Sequence, residues 1–421
     1  LVDNQYAYGL VDLERGQIVI PASGGFGGVV GVGPASRVKA NSGVTGAFIT
    51  NANYLTGGVP RTHVEHISID GQRTIWPDPG APTSGGGIAG GIALDGPDAL
   101  IAFSRITGFR GIGAQVTDTS PELVSRNMIY HCAINRCHTG IKLAQSDTMI
   151  YDNIVWGCRD FGLHNEGAYG NIQSAGNHYY GFANAANTGT AVHNEDGDGN
   201  RFTNDTIADA HYGYVGAAEA DLCTFTNCYF QHNNRRSMLL AGTMNRVVAS
   251  LFHIPRGTSQ APWNDMLGIE ITGARNAVSD SNFWLTNYLG STPGSGNSHA
   301  TALRVSGNFN SVQNCIFIDY LAPVGYARGI HIPTAIKGFR ADVSIWGFED
   351  NGDDFLDIDN IGIEGVHVII HGHSVESPGF DPNDIAQYID ISMGWDNTKN
   401  SITLIDDATG ETVPVDNDTN Y

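Results

Sequence analysis

The residues best suited to chemistry in this chain share one local context: an apolar residue, usually after Gly or Ala, followed by an ionisable group. The pattern reads Gly-Ile-Lys142, Gly-Leu-His164, Ala-Val-His193, Gly-Ile-Glu270, Ala-Leu-Arg304 and Gly-Ile-His331, with Tyr-Val215 and Met-Leu239 as apolar members. Glu166 and Glu195 lie two residues beyond their histidines, so a continuing strand would turn them to the same face. Lys142 is the only lysine between Lys39 and Lys337. Lysine or imidazole groups beside carboxylates can give and take protons. Cleavage of a uronic-acid polymer by β-elimination needs a base for the C5 proton, an acid for the leaving oxygen and a cation against the carboxylate. Lys142 with His164 or His193 would supply the base and the acid. Hydrolysis needs two carboxyl groups instead, about 5 Å apart for retention or about 6.5–9.5 Å for inversion. Glu166 and Glu195 offer the closer pair if their strands are neighbours. The stretch Glu195-Asp196-Gly-Asp198-Gly-Asn200 sets oxygen donors at alternate positions, a spacing usable by Ca2+ and equally produced by metal-free Asp-Gly turns. Glu166 and Glu195 could hold the same ion.

These groups meet only if the fold brings residues 22 to 34 apart into register. An imperfect repeat of that length supplies the means: TMIYDNIV, NRFTNDTI, CTFTNCYF, NRVVASLF, NAVSDSNF and NSVQNCIF follow the form N-x-(V/I/F)-x-(N/D)-x-x-(F/I/V). Its central apolar positions are Val124, Ile150, Ile172, Phe202, Phe225, Val247, Val278 and Val312. The period matches one coil of a parallel β-helix, made of short strands separated by turns. Asp152, Asn204, Asn227, Asp280 and Asn314 fall two residues after central positions, as turn formers whose side chains would bond up the stack. The repeat therefore predicts an all-β, right-handed, single-stranded parallel β-helix with long turn insertions and a C-terminal capping segment. Residues 1–60 would form the N-terminal cap and first strands, 61–345 the coils, and 346–421 the final coils and cap. With coils about 4.8 Å apart, Lys142, His164 and His193 would form one ladder. Glu270, Arg304 and His331 would form a second, read as substrate-binding. Insertions at 253–268 and 284–301 carry Trp263, Trp284 and Tyr288, which would stack on sugar rings or simply pack the turns.

The segment GQIVIPASGGFGGVVGVGPASRVKANS (16–42) resembles the opening of the pectate-lyase-like β-helix superfamily, where a strand ending in Ile-Pro leads to a Gly-rich stretch and a VxGxGPxSxVKAN strand. THVEHISIDGQ (62–72) resembles that superfamily's first full coil. The resemblance is close over the opening third and rests on coil pattern thereafter. The helical segment that usually precedes the first strand is not found. The resemblance implies the fold and a carbohydrate substrate, without fixing an activity.

Composition narrows the partners. Gly accounts for 54 of 421 residues and charged groups for only 15%, which suits a turn-rich β protein better than a helical bundle. A net charge of −21 repels nucleic acid and anionic membranes. No run of about 20 apolar residues is present to span a bilayer. The six cysteines form no CxxC pair. They read as buried thiols, or as local Cys132–Cys137 and Cys223–Cys228 bridges. The chain opens on Leu1 and reads as a processed or trimmed form; nothing calls for an organic cofactor.

Three functions follow. A secreted polysaccharide lyase acting on a uronate-containing glycan leads, because the scarce basic residues gather on one face. A glycoside hydrolase, or a fructan- or glycan-processing enzyme using paired carboxylates, is the second. A glycan-binding adhesin or phage tailspike, displayed on a virion and expected to be a homotrimer, is the third.

Overall fold

The computed structural model describes residues 13–415 apart from 22–26, 33–35, 41–43, 45, 53–60, 72–89, 118–125, 145–146, 168–170, 183–187, 257–264, 288–298, 320–325, 349–354, 360–362, 374–380, 384–387, 392–395 and 397. The chain divides into two compact units, Leu1–His211 and Tyr212–Tyr421. In the first, one sheet stacks Ile18–Ile20, Ala47–Asn51, Gly90–Asp95, Ile112–Thr117, Thr139–Ala144, Phe161–Asn165 and Thr190–Asp196, each parallel to the next. Two shorter strands complete each coil, as Asn127–Tyr130 and Ala133–Asn135 do before pairing with Thr148–Tyr151 and Ile154–Trp156.

The second unit repeats the plan with Tyr212–Glu219, Arg236–Leu240, Asp265–Ile271, His299–Val305, Tyr326–Ile332, Leu356–Ile358 and Ile389–Ile391. Its last long parallel strand, Ser401–Asp406, is covered by the antiparallel strand Thr412–Val415. That hairpin takes up hydrogen-bonding groups an open edge would leave exposed. The chain is an all-β parallel β-helix protein.

Inward side chains stack as the strands do. In the second unit Phe230, Phe252, Phe283 and Phe317 form a buried column with ring centroids 4.7, 5.0 and 4.7 Å apart. Each such pair adds about 0.5–1.5 kcal/mol beyond the area it buries. Turns are tied by buried amide ladders. In the first unit Cys132 donates its N–H to Asn153 Oδ1 at 2.9 Å, Asn153 to Asn177 at 3.0 Å, and Asn177 to Asp205 at 2.7 Å. In the second, Cys223, Asn245 and Asn276 donate at 2.8 Å to Asn245, Asn276 and Asn310.

Three details of the repeat differ from the sequence reading. Ile150 pairs with Ser174, which pairs in turn with Phe202, whereas Ile172 pairs with Thr148 two residues earlier. A serine occupies a core position there, and apolar matching slid past it. On the preceding coil the partner of Ile150 is Ile129, while Val124 lies outside the described residues. Asp152, Asn204, Asn227, Asp280 and Asn314 are the left-handed turn residues themselves, with φ from 51° to 54°, a conformation Asn and Asp tolerate. The first unit's buried ladder runs one residue later, at Asn153 and Asp205. All six cysteines are free and buried, so the bridged alternative is set aside. Burial pushes the Cys132 and Cys315 thiols up to about 12, as expected of inert packing groups.

Asp205 stands out among the ladder residues of the first unit. Its Oδ1 accepts from both the backbone and the amide of Asn177, but its Oδ2 is buried and lacks a partner among the described residues. Burial raises this carboxyl to about 7, against the pull of the Asn177 and Ser174 hydrogen bonds. The folded state thus holds a proton that the unfolded chain releases near pH 4. The stability this supplies is complete below about pH 4 and is lost as pH rises through about 7. Asp205→Asn keeps the acceptor and removes the charge. Its Tm should exceed that of the parent above about pH 7, by the equivalent of about 4 kcal/mol, and the gain should vanish near pH 4. An advantage independent of pH would contradict this account.

Candidate active site

Register decides which outward side chains meet. In the first unit Gln115, Lys142, His164 and His193 are partners on successive strands. The glycine of the recurring context allows this close stacking. A Cβ on Gly140 would lie 2.5 Å from Val155 Cγ1, and one on Gly162 would lie 2.5 Å from the Ala191 carbonyl oxygen.

Between the basic groups sit the two glutamates. Lys142 Nζ is 2.7 Å from Glu166 Oε1. His164 lies between both carboxylates, with Nδ1 3.4 Å from Glu166 Oε1 and Nε2 3.0 Å from Glu195 Oε1. His193 Nδ1 is 3.9 Å from the same Glu195 oxygen, beyond hydrogen-bonding distance, and is buried without a hydrogen-bond partner among the described residues. The two imidazoles lie parallel, their centroids 5.2 Å apart. Phe161 stacks on both, at 4.4 Å from His164 and 5.0 Å from His193, and so fixes both ring planes. Burial lowers the His193 pKa below the ordinary histidine value, and His164 adds to this while Glu195 and Glu166 oppose it. His193 is therefore a neutral imidazole near pH 7, able to accept a proton.

The structure does not assemble the oxygen loop expected at 195–200. Asn200 is fully buried in the amide ladder, accepting from Ile172 N at 2.7 Å and donating to the Gly197 carbonyl at 2.9 Å. Asp196 Oδ1 accepts from Gly197 N, and Asp198 is exposed on the turn. Glu195 points to the histidines instead. These four residues do not fit Ca2+, which takes 6–8 oxygen ligands.

In the second unit Val215, Leu239, Glu270, Arg304 and His331 are successive register partners, and the column continues through Asp357 and Asp390. Glu270 binds Arg236 and lies 3.9 Å from Arg304 Nη1. His331 Nε2 is 2.8 Å from Asp359 Oδ2 and 3.7 Å from Asp357 Oδ2, and Arg328 Nε reaches Asp357 at 2.8 Å. Burial raises the Asp357 pKa, opposed by Arg328 and His331 and aided by Asp359 and Asp390. Trp284 lies on the strand Asn282–Asn287 of the other sheet, edge-on to His253 at 6.4 Å, rather than in a turn beside Glu270. Trp263 and Tyr288 lie outside the described residues.

Sequence reasoning missed Phe161, Arg236, Arg328, Asp357 and Asp359. The signal for Asp357 was present: Phe-Leu-Asp357 and Tyr-Ile-Asp390 continue the apolar-then-ionisable context without its glycine. Phe161 precedes the glycine of its motif, and the alternation rule gave no reason to place residues three apart on one face.

The fold and this column define a parallel β-helix protein with an acid–base ladder on one sheet. No protein-family model and no curated protein matches the chain. Among solved structures it is similar to the enzymatically active domain of tailspike protein 2 from bacteriophage CBA120, at 15% identity over 72% of this chain and TM-score 0.46. That match spans only 42% of the tailspike chain. It is also similar to a single-substitution mutant of the periplasmic alginate epimerase AlgG, at 10% identity over 84% of this chain and 75% of that one, TM-score 0.48. A third is DFA-IIIase from Arthrobacter chlorophenolicus A6 without its lid, at 13% identity over 91% and 87%, TM-score 0.43. Among the described residues no helix is long and apolar enough to cross a membrane.

The His193 environment is open to direct measurement. A histidine-resolved NMR titration should place its midpoint below that of free histidine, and Glu195→Gln should lower it further by removing an opposing charge. An upward movement in Glu195→Gln would contradict the arrangement.

Proposed function

We propose that the chain is a secreted polysaccharide lyase that cleaves a uronate-containing glycan by β-elimination on the Lys142–His164–His193 face. The observation that carries the reading is a neutral, partly buried imidazole in the same register column as an ammonium two strands away, with His164 between them and the ammonium 2.7 Å from its carboxylate partner. The Lys142 ammonium meets the uronate carboxylate and makes the C5 proton more acidic. His193 removes that proton, the electron pair forms the C4–C5 double bond, and the C4–O bond breaks. His164, hydrogen-bonded to Glu195 with Glu166 close on its other side, delivers a proton to the leaving oxygen.

Hydrolysis is less well supported. A carboxylic acid that stays protonated near neutral pH needs burial away from cations. Glu166 and Glu195 are 35% and 48% exposed, and His164 contacts both. We propose that the Glu270–Arg304–His331 column of the second unit binds glycan. Arg304 Nε there is buried and lacks a partner among the described residues.

A panel of acidic and neutral polysaccharides tests the reading. A polyuronate should yield unsaturated ends with the ultraviolet absorbance of a conjugated uronate. His193→Ala and Lys142→Ala should each lower kcat by about 10²–10⁴-fold. Reducing ends without that chromophore, lost on Glu195→Gln but not on Lys142→Ala, would make the enzyme a hydrolase. Glycan retention without turnover, by a trimer, would make it a binding spike.

A further inference from the structure

The orphaned nitrogen of His193 bears on more than proton transfer. One ring nitrogen each of His164 and His193 and a Glu195 carboxylate oxygen all lie within 4.8 Å of one another. Both nitrogens approach one oxygen, at 3.0 and 3.9 Å. In a tetrahedral Zn2+ site with ligands about 2.0–2.1 Å from the ion, ligand atoms sit about 3.3 Å apart. The two distances bracket that edge, and one ion meets all three atoms once the wider pairs close toward it.

Two independent features point the same way. A buried imidazole nitrogen without a partner is unfavourable by itself, and a metal ion is one way to satisfy it. Histidines that bind metals usually donate their other ring N–H to a carboxylate, which fixes tautomer and orientation. His164 has that carboxylate in Glu166, 3.4 Å from Nδ1 and itself held by Lys142. Phe161, stacked on both rings, holds them side by side at the mouth of that group.

We propose that His164, His193 and Glu195 form a site for a borderline first-row divalent metal ion of the Zn2+ or Co2+ type. Two imidazoles and one carboxylate select such ions over Ca2+ and Mg2+, which prefer oxygen donors. Occupancy and catalysis then compete. An ion on His193 Nδ1 takes the lone pair of that nitrogen and leaves the ring's single proton on Nε2, so the ring has no lone pair for the C5 proton. The metal-loaded protein is switched off, and a chelator restores it. This consequence rests on the proposed elimination; the binding itself does not.

The test uses the intact chain freed of metal with a chelator. Calorimetry with Zn2+ should show one tight site, and Co2+ should develop the visible absorption of a tetrahedral nitrogen–oxygen set. His193→Ala and Glu195→Gln should each weaken binding at least tenfold. Glu195→Gln is nearly isosteric at an exposed position, so it keeps the test valid if His193→Ala folds poorly. His331→Ala, in the other converging His–Asp group, should leave the tight site intact, and Ca2+ in equal amount should not displace Co2+. Absence of tight binding, binding unchanged in both His193→Ala and Glu195→Gln, or binding lost only in His331→Ala would each overturn the proposal. Metal binding without elimination on any polyuronate would remove the catalytic reading and leave the site standing. Elimination unaffected by Zn2+ at saturating occupancy would overturn the competition.

Discussion

One constraint organises both units: each coil hydrogen-bonds to the next in a parallel register that carries equivalent residues directly over one another. At about 4.8 Å per step, a residue chosen at one position is chosen beside its counterparts above and below. An inward phenylalanine becomes part of a column, as Phe252 does between Phe230 and Phe283. A buried asparagine becomes a rung that closes the turn of the preceding coil, as Asn276 does for Asn245. An outward histidine becomes a neighbour of whatever the adjacent coils present, as His164 does for Lys142 and His193. Chemistry on this scaffold is a matter of columns.

That constraint also explains what could be read in advance. The contact of Lys142, His164 and His193 followed from a short context repeated at coil spacing, because Gly140 and Gly162 mark where two backbones press together. The fold followed from the same spacing. What escaped detection was of two kinds. Where a polar residue takes a core place, as Ser174 does, hydrophobic matching chooses a wrong neighbour, here Ile172. Where one residue type serves two purposes, composition cannot choose between them. Asn200 follows two Asp-Gly steps and looks like a metal donor, yet its amide is consumed by the backbone of Ile172 and Gly197. The side chains that give the site its shape, Phe161 above all, were invisible because Phe161 and His164 stack although three residues apart, which strand alternation does not foresee.

A ladder of basic groups on a strand pitch raises an electrostatic difficulty. Two like charges 5.2 Å apart, the centroid spacing of His164 and His193, repel by about 3 kcal/mol at an effective dielectric near 20. The glutamates relieve this unevenly. Lys142 has Glu166 at 2.7 Å and His164 touches both carboxylates, whereas His193 reaches only Glu195, and that at 3.9 Å. The last member of the ladder thus has the weakest carboxylate support. Burial is the larger cause of its neutrality, and its place beside His164 in the column adds to it.

The same asymmetry ties the two proposed roles of His193 together. A neutral imidazole with a buried, unsatisfied edge is what a general base requires, and it is also what a borderline metal ion seeks. The features that ready the ring for a proton, namely stacking on Phe161, shielding from solvent and distance from a full counter-charge, ready it equally for a metal ion. Glu195 then decides between them. Without an ion it stays hydrogen-bonded to His164, whereas beside an ion it becomes the third ligand. Deeper burial would keep the ring neutral over a wider pH range and so free for either partner, but it would also lower its pKa further and weaken it as a base.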